Sequence, residues 1–293
     1  MSPRMPADTL NAGRVLSVAF GILLLTILPL MSRNDFDWYA RAWQSDEGLP
    51  NNTVTGIAQT RDGYLWLATS SGLISFDGIN FQQFSLMEMA GQPNRGILAM
   101  ALNHKGGLIL AMDRGAIVCL NADEAQVFKV HVDLPDRVPQ NIAEDGTGTI
   151  WIAYRGGDVW KINGGKVMPV TAKDGLPDGP AICSFAVDDK GHLWFSKSDQ
   201  LGLVRNGQFQ TLLQLDHAPT CLAAAHDGGI WICAGLQVFK YMEGGQLEAV
   251  GSFNPDRAGT EPTVLLEDRN GALLPGNFIG GELVIEAGSL ERS

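Results

Sequence analysis

The stretch Val54-Thr55-Gly56-Ile57-Ala58-Gln59-Thr60-Arg61-Asp62-Gly63-Tyr64-Leu65-Trp66-Leu67-Ala68-Thr69-Ser70-Ser71-Gly72-Leu73-Ile74-Ser75-Phe76 reads as three strands joined by two turns. Thr53 to Gln59 alternates, the period of a strand with two unlike faces. Arg61-Asp62-Gly63 is a turn, with glycine free to take positive φ. Leu65-Trp66-Leu67-Ala68 is continuously apolar, as in a strand covered on both faces. Ser70-Ser71-Gly72 turns again, Leu73 to Phe76 is the third strand, and Asp77-Gly78 leads into a fourth at Phe81 to Phe84.

The unit recurs. Gly148-Thr149-Ile150-Trp151-Ile152, Gly191-His192-Leu193-Trp194-Phe195 and Gly228-Gly229-Ile230-Trp231-Ile232 repeat the turn and the tryptophan strand. Gly106-Gly107-Leu108-Ile109-Leu110 and Gly271-Ala272-Leu273-Leu274 are weaker copies. A second marker keeps the same register: Pro50, Pro93, Pro135, Pro177, Pro219 and Pro262 are 42 or 43 residues apart. Four antiparallel strands per ~42 residues is the pattern of a β-propeller blade. The expected fold is therefore all-β, a propeller of about six four-stranded blades over residues 34–293. Each tryptophan is expected to plug the seam between neighbouring blades and not to form a ligand cage. An alternating strand at Trp38 to Trp43 could complete the last blade and hide its edge. The alternative is a piece of a larger propeller.

Composition agrees. Of 293 residues, 35 are glycine and 7 tryptophan, with 45% hydrophobic and only 18% charged residues. Many short strands and tight turns fit that balance better than long helices do. Lys plus Arg is 21 against 32 Asp plus Glu, a net charge of −11. Nucleic acid is excluded as a partner on that ground, because it needs clustered positive charge. Cys119, Cys183, Cys221 and Cys233 show no C-x-x-C spacing and read as buried thiols acting as small apolar residues. Cys221 and Cys233 are equally far from Asp227 at a turn, so they could face each other across a hairpin.

The N-terminus differs in kind. Arg4 and Arg14 precede Val15 to Met31, 17 residues without charge. Residues 1–33 therefore read as a signal peptide or an apolar transmembrane anchor, with residues 34–293 exported.

Residues 54–76 resemble the two-component regulator propeller repeat, V-x-x-I-x-x-D-x-x-G-x-L-W-[ILV]-G-T-x-x-G-L-x-x-[FY]. Asp46-Glu47-Gly48-Leu49-Pro50 and Asp174-Gly175-Leu176-Pro177 resemble the D-G-L-P connector of that family. The resemblance covers about residues 38–285. It implies a periplasmic or cell-envelope sensor region, of the kind that precedes a histidine kinase or diguanylate cyclase. No kinase-like segment or nucleotide-binding glycine loop occurs in these 293 residues. The expectation is a sensory binding module without its own output, whose partner is a small molecule, a glycan or a signalling protein. The alternatives are a propeller lyase resembling virginiamycin B lyase, whose G-x-[LI]-W-[FI] repeats are similar, and a truncated sensor fragment.

Catalytic constellations are not apparent. His104, His192 and His226 fall in turns of different blades, without the spacing of a metal site. No catalytic residue, metal or cofactor is expected. Candidate ligand-binding residues lie where the proline-led loop and the turn after the tryptophan strand share one end of each blade: Asn51, Asn52, Asn94, Arg95, Asp113, Arg114, Arg155, Ser198 and Asp199. Arg95, Arg114 and Arg155 come from three consecutive blades and suit a carboxylate or sulfated sugar.

Overall fold

The structure is a computed structural model. It describes residues 48–292 except 94, 122–123, 130, 220, 254–260, 263, 268–270, 272, 280–281 and 286–290. The expected apolar helix, the 1–33 segment and the strand at Trp38 to Trp43 lie outside the described residues. Among the described residues no helix is long and apolar enough to cross a membrane.

The alternation and turns of the quoted stretch become blade one: β1 (Val54–Gln59), β2 (Leu65–Thr69), β3 (Gly72–Phe76) and β4 (Phe81–Gln83), antiparallel and in that order. Blade two is β5 (Ile97–Leu102), β6 (Leu108–Met112), β7 (Ile117–Leu120) and β8 (Ala125–Phe128). Blade three is β9 (Pro139–Glu144), β10 (Ile150–Tyr154), β11 (Val159–Asn163) and β12 (Lys166–Val170). Blade four is β13 (Ser184–Val187), β14 (Leu193–Lys197), β15 (Gln200–Arg205) and β16 (Gln208–Gln214). Blade five is β17 (Cys221–Ala224), β18 (Ile230–Ala234), β19 (Gln237–Tyr241) and β20 (Leu247–Ser252). The linker after blade one forms a short helix, α1 (Leu86–Ala90), capped by Ser85.

The sixth repeat departs from the expectation of about six four-stranded blades. It forms three strands, β21 (Val264–Glu267), β22 (Leu273–Ile279) and β23 (Glu282–Ile285). Among the described residues there are thus five four-stranded blades, the fifth extended by one short strand, and a three-stranded sheet. The reason lies in where the next strand pairs: β24 (Glu291–Arg292) joins Gly251 and Ser252 at the outer edge of blade five and not β23.

The first strands of consecutive blades lie side by side, β1 by β5 and so on to β21, and the fourth strands form the outer edges. Each blade therefore has a proline end, with the leading loop and the turn between second and third strands, and a glycine end, with the turn between first and second strands. Apolar clusters fill the seams. Trp151 packs with Phe185, Leu193 and Phe195 of blade four, and Trp194 with Ile230, Ile232 and Tyr241 of blade five. The expected seam-plugging tryptophans are thus found. Cys221 and Cys233 stand opposite each other on β17 and β18, and all four cysteines are buried.

The first strands crowd one another, and one column of small residues records this. Ala58, Ala101, Ala143, Ala186 and Ala223 each turn toward the following blade. The same position in the last sheet is Leu266, which is 55% exposed, with Val264 beside it at 38%. On blade one Ile57 is 48% exposed, whereas its counterparts Ile142 and Phe185 are 6% and 8% exposed.

Candidate functional site

At the proline end, backbone hydrogen bonds hold the leading loop against the turn after the second strand. Ser70 N donates to Thr53 O (3.3 Å), Asp113 N to Gly96 O (2.8 Å) and Arg155 N to Val138 O (2.9 Å). The candidates that the sequence points to in blades one to three are therefore placed together within their own blades. In blade one Asn51 Nδ2 donates to Ser71 Oγ (2.8 Å), while its Oδ1 accepts from Ser70 Oγ (2.9 Å) and Thr53 N (2.8 Å). Asn51 is thus committed to organising its loop. Neighbouring Asn52 Oδ1 is shut from solvent without a hydrogen-bond partner.

In blade two, the Asp113–Gly96 bond sets Arg95 beside Asp113 and Arg114. Asn94 lies outside the described residues. Asp113, Arg114 and Arg155 are exposed and Arg95 is half-buried. Among the described residues, none of the three guanidinium groups has a hydrogen-bond or ion-pair partner. Arg137 of blade three differs, pairing with Asp158 at 2.7 Å.

Blade four uses a device that sequence reasoning missed. Lys197, 2% exposed, sends its ammonium into backbone and donates to Gly157 O (2.9 Å), Gly179 O (2.6 Å) and Ala181 O (2.9 Å). Three donors meet three carbonyls, and the turn of blade three is tied to the leading loop of blade four. Burial pushes the Lys197 pKa below the ordinary lysine value, with Cys183, Asp158 and Asp178 acting the other way. The signal is a lysine ending an otherwise apolar strand, Leu193-Trp194-Phe195-Ser196-Lys197. Ser198 comes next in the left-handed conformation, φ 54°. Asp199 turns toward its own outer strand, where Oδ2 accepts from Gln214 Nε2 (3.1 Å). Among the described residues, no hydrogen bond joins it to the arginines.

The glycine end holds a second set of polar residues, which the sequence alone presents as turn chemistry. The indole N–H of Trp66 donates to Thr60 Oγ1 (3.0 Å), that of Trp151 to Asp145 Oδ2 (2.8 Å) and that of Trp194 to Asp188 Oδ2 (3.1 Å). In these three blades the acceptor is six residues earlier. In blade five that position is Ala225, and Trp231 Nε1 instead donates to Glu267 Oε2 of the last sheet (3.0 Å). Among the described residues no three His, Cys, Asp or Glu side chains stand close enough to share a metal ion.

Residues 48–71 match the family described as "Two component regulator propeller". No curated protein matches the sequence. Solved structures share the fold. A streptogramin B lyase superposes with a TM-score of 0.64 at 16% identity, over 84% of this chain and 85% of that one. Virginiamycin B lyase from Staphylococcus aureus gives 0.63 at 15% identity, over 80% of this chain and 83% of that one. The extracellular domain of a hybrid two component system from B. thetaiotaomicron gives 0.62 at 21% identity, over 84% of this chain and 33% of that one. At these identities the likeness shows the fold alone, and it is shared by lyases and by the extracellular domain of a two component system.

Proposed function

We propose that this chain, which carries a two-component regulator propeller repeat at residues 48–71, is a sensory propeller that works outside the cytoplasm. Its proline end binds an anionic small molecule or glycan fragment. The observation that carries this reading is the three guanidinium groups of Arg95, Arg114 and Arg155. They stand at one end of consecutive blades without partners among the described residues. In a chain of net charge −11, three unneutralised arginines at one end favour a ligand that brings negative charge. Guanidinium grips carboxylate and sulfate through two parallel N–H bonds and stays charged at any physiological pH. Asp113, beside Arg95 and Arg114, supplies an acceptor for sugar hydroxyls, and Asn51 holds the loop of blade one in shape. The lyase alternative has the shared fold behind it and no further observation.

The test is calorimetric titration of the chain with sulfated and uronic-acid oligosaccharides. The expected result is saturable binding that the R95A/R114A/R155A variant weakens by about tenfold or more, the loss of charge-assisted hydrogen bonds. Equal binding by the variant, or none by either protein, overturns the reading.

A further inference from the structure

In the seams beyond blades one, three, four and five, a tryptophan of the second strand packs toward the next blade: Trp66, Trp151, Trp194 and Trp231. The seam between blades two and three has Ile109 at that position. Isoleucine lacks the two rings of indole, and at this seam a cavity of about 230 Å³ opens at the glycine end. Its buried walls are Ile109, Phe128, Ile150 and Ile162, with Cys119 among them, and the polar Lys105, Asn121 and Gln126 line it as well. Burial and the charge of Glu144 push the Cys119 thiol up to about 12, so it presents a neutral, soft wall. The exposed His104 stands at the mouth, and the buried Glu144 carboxylate lies behind it.

The chain itself shows how such a seam seats an indole. In the seam after blade five, Glu267 Oε2 accepts both the His226 backbone N–H (2.6 Å) and the Trp231 indole N–H (3.0 Å). Glu144 holds the same place in blade three that Glu267 holds in the last sheet, and His104 the same place in its turn as His226. Glu144 Oε2 accepts the His104 backbone N–H, again at 2.6 Å. The other oxygen, Oε1, meets the His104 ring at Nδ1 (2.9 Å), and that imidazole side chain is 54% exposed. Asn103, six residues before Ile109, is already committed: its Oδ1 accepts from Gly107 N (2.8 Å) and its Nδ2 donates to Asn121 Oδ1 (2.9 Å). The acceptor, the backbone clamp and apolar walls of the indole seat are therefore all present; Trp160 of blade three packs against the same cluster but does not line the cavity, and among the described residues no indole does.

We propose that the seam between blades two and three is a binding site for a small flat aromatic molecule with a ring N–H donor, indole being the simplest. The ring lies against Ile109, Phe128, Ile150 and Ile162, and its N–H replaces the His104 imidazole on the Glu144 carboxylate. An apolar cavity of ~150 Å³ already suffices to bind benzene. This site is separate from the arginines of the proline end and does not depend on them.

The test is titration of the whole chain with indole, followed through isoleucine methyl NMR signals. Saturable shifts are expected at Ile109, Ile150 and Ile162. His104→Ala, which clears the mouth, is expected to bind several-fold tighter. 1-Methylindole, which has no N–H to give, is expected to bind about tenfold weaker than indole. Ile109→Trp, which builds the missing ring into the chain, is expected to abolish binding. R95A/R114A/R155A is expected to bind indole like the parent. Shifts confined to other methyls, indole and 1-methylindole binding alike, or unchanged binding by Ile109→Trp overturns the proposal. If Ile109→Trp does not fold, the methylindole and His104→Ala comparisons decide it.

Discussion

Trp151 shows what a seam residue contributes. It is 1% exposed, stands edge-on to Phe209 with centroids 5.5 Å apart, and donates its indole N–H to Asp145. Trp151→Ala removes a large buried aromatic and leaves a cavity between blades three and four. The expected cost is about 3–5 kcal/mol. Trp151→Phe keeps most of the apolar contact and loses only the donor. Asp145 still accepts from Thr147 N (2.9 Å), Thr147 Oγ1 (2.6 Å) and Thr149 N (3.1 Å), so its charge stays solvated by the turn. The phenylalanine variant is expected to lose about 1–2 kcal/mol. Urea unfolding of the two variants checks the order. An alanine variant as stable as the phenylalanine variant would show that Trp151 does not hold the seam. The identity of the plugging residue was legible in the sequence because the tryptophans kept the repeat. The acceptor was not: Asp145 and Asp188 sit in the same strand–turn as their tryptophans, but Trp231 reaches across the seam because Ala225 has no side-chain oxygen.

At the scale of turns and strands, blades also meet through backbone. Gly146 N donates to Gly191 O (2.8 Å), which joins the glycine-end turns of blades three and four. Gly191 has φ 79°, and a Cβ there would lie 2.6 Å from Gly146 Cα. Gly63 holds the same turn position in blade one at φ 92°, and a Cβ there would meet nothing within 4 Å. Both alanine variants carry the left-handed cost of about 1–2 kcal/mol. Only Gly191→Ala adds the overpacking cost of about 1–3 kcal/mol. Thermal unfolding is expected to rank Gly191→Ala clearly below Gly63→Ala, and equal losses would mean that the turns of blades three and four do not touch. The turn glycines and strand order of blade one were readable because local chemistry fixes them: alternation, a positive-φ residue and an apolar run. Lys197 was not readable, because its three carbonyl partners come from two loops 16 to 40 residues away. The same holds for the candidate arginines. Their blade and their end came from the repeat, and their lack of partners required the fold.

Across the whole array, seams differ in how well they are closed. Five seams hold clusters that draw on two neighbouring blades, although the one between blades two and three keeps a cavity at its glycine end. Among the described residues, the cluster on the other face of blade one, Leu49, Leu67, Ile74 and Phe76 with its satellites, draws on blade one. The far face of the last sheet leaves Leu266 and Val264 exposed, and Ile57 of blade one is exposed as well. A trace of this was present in the sequence. The alanine column that crowding imposes runs from Ala58 to Ala223 and is broken by Leu266, a residue too large for a packed first strand. Local opening tracks such differences, because the least packed unit has the fewest buried contacts to lose. Peptides spanning residues 264–285 are therefore expected to exchange their amide hydrogens at least about tenfold faster than those of β14, which lies between the seams that Trp151 and Trp194 fill. A tenfold ratio corresponds to about 1.4 kcal/mol of local stability. Hydrogen exchange read by mass spectrometry on the whole chain measures it directly. Equal protection in the two regions would mean that the far face of the last sheet is covered in solution, and Leu266→Asp, expected to be nearly neutral on an open face, would then lower stability by several kcal/mol, as a buried unpaired charge does.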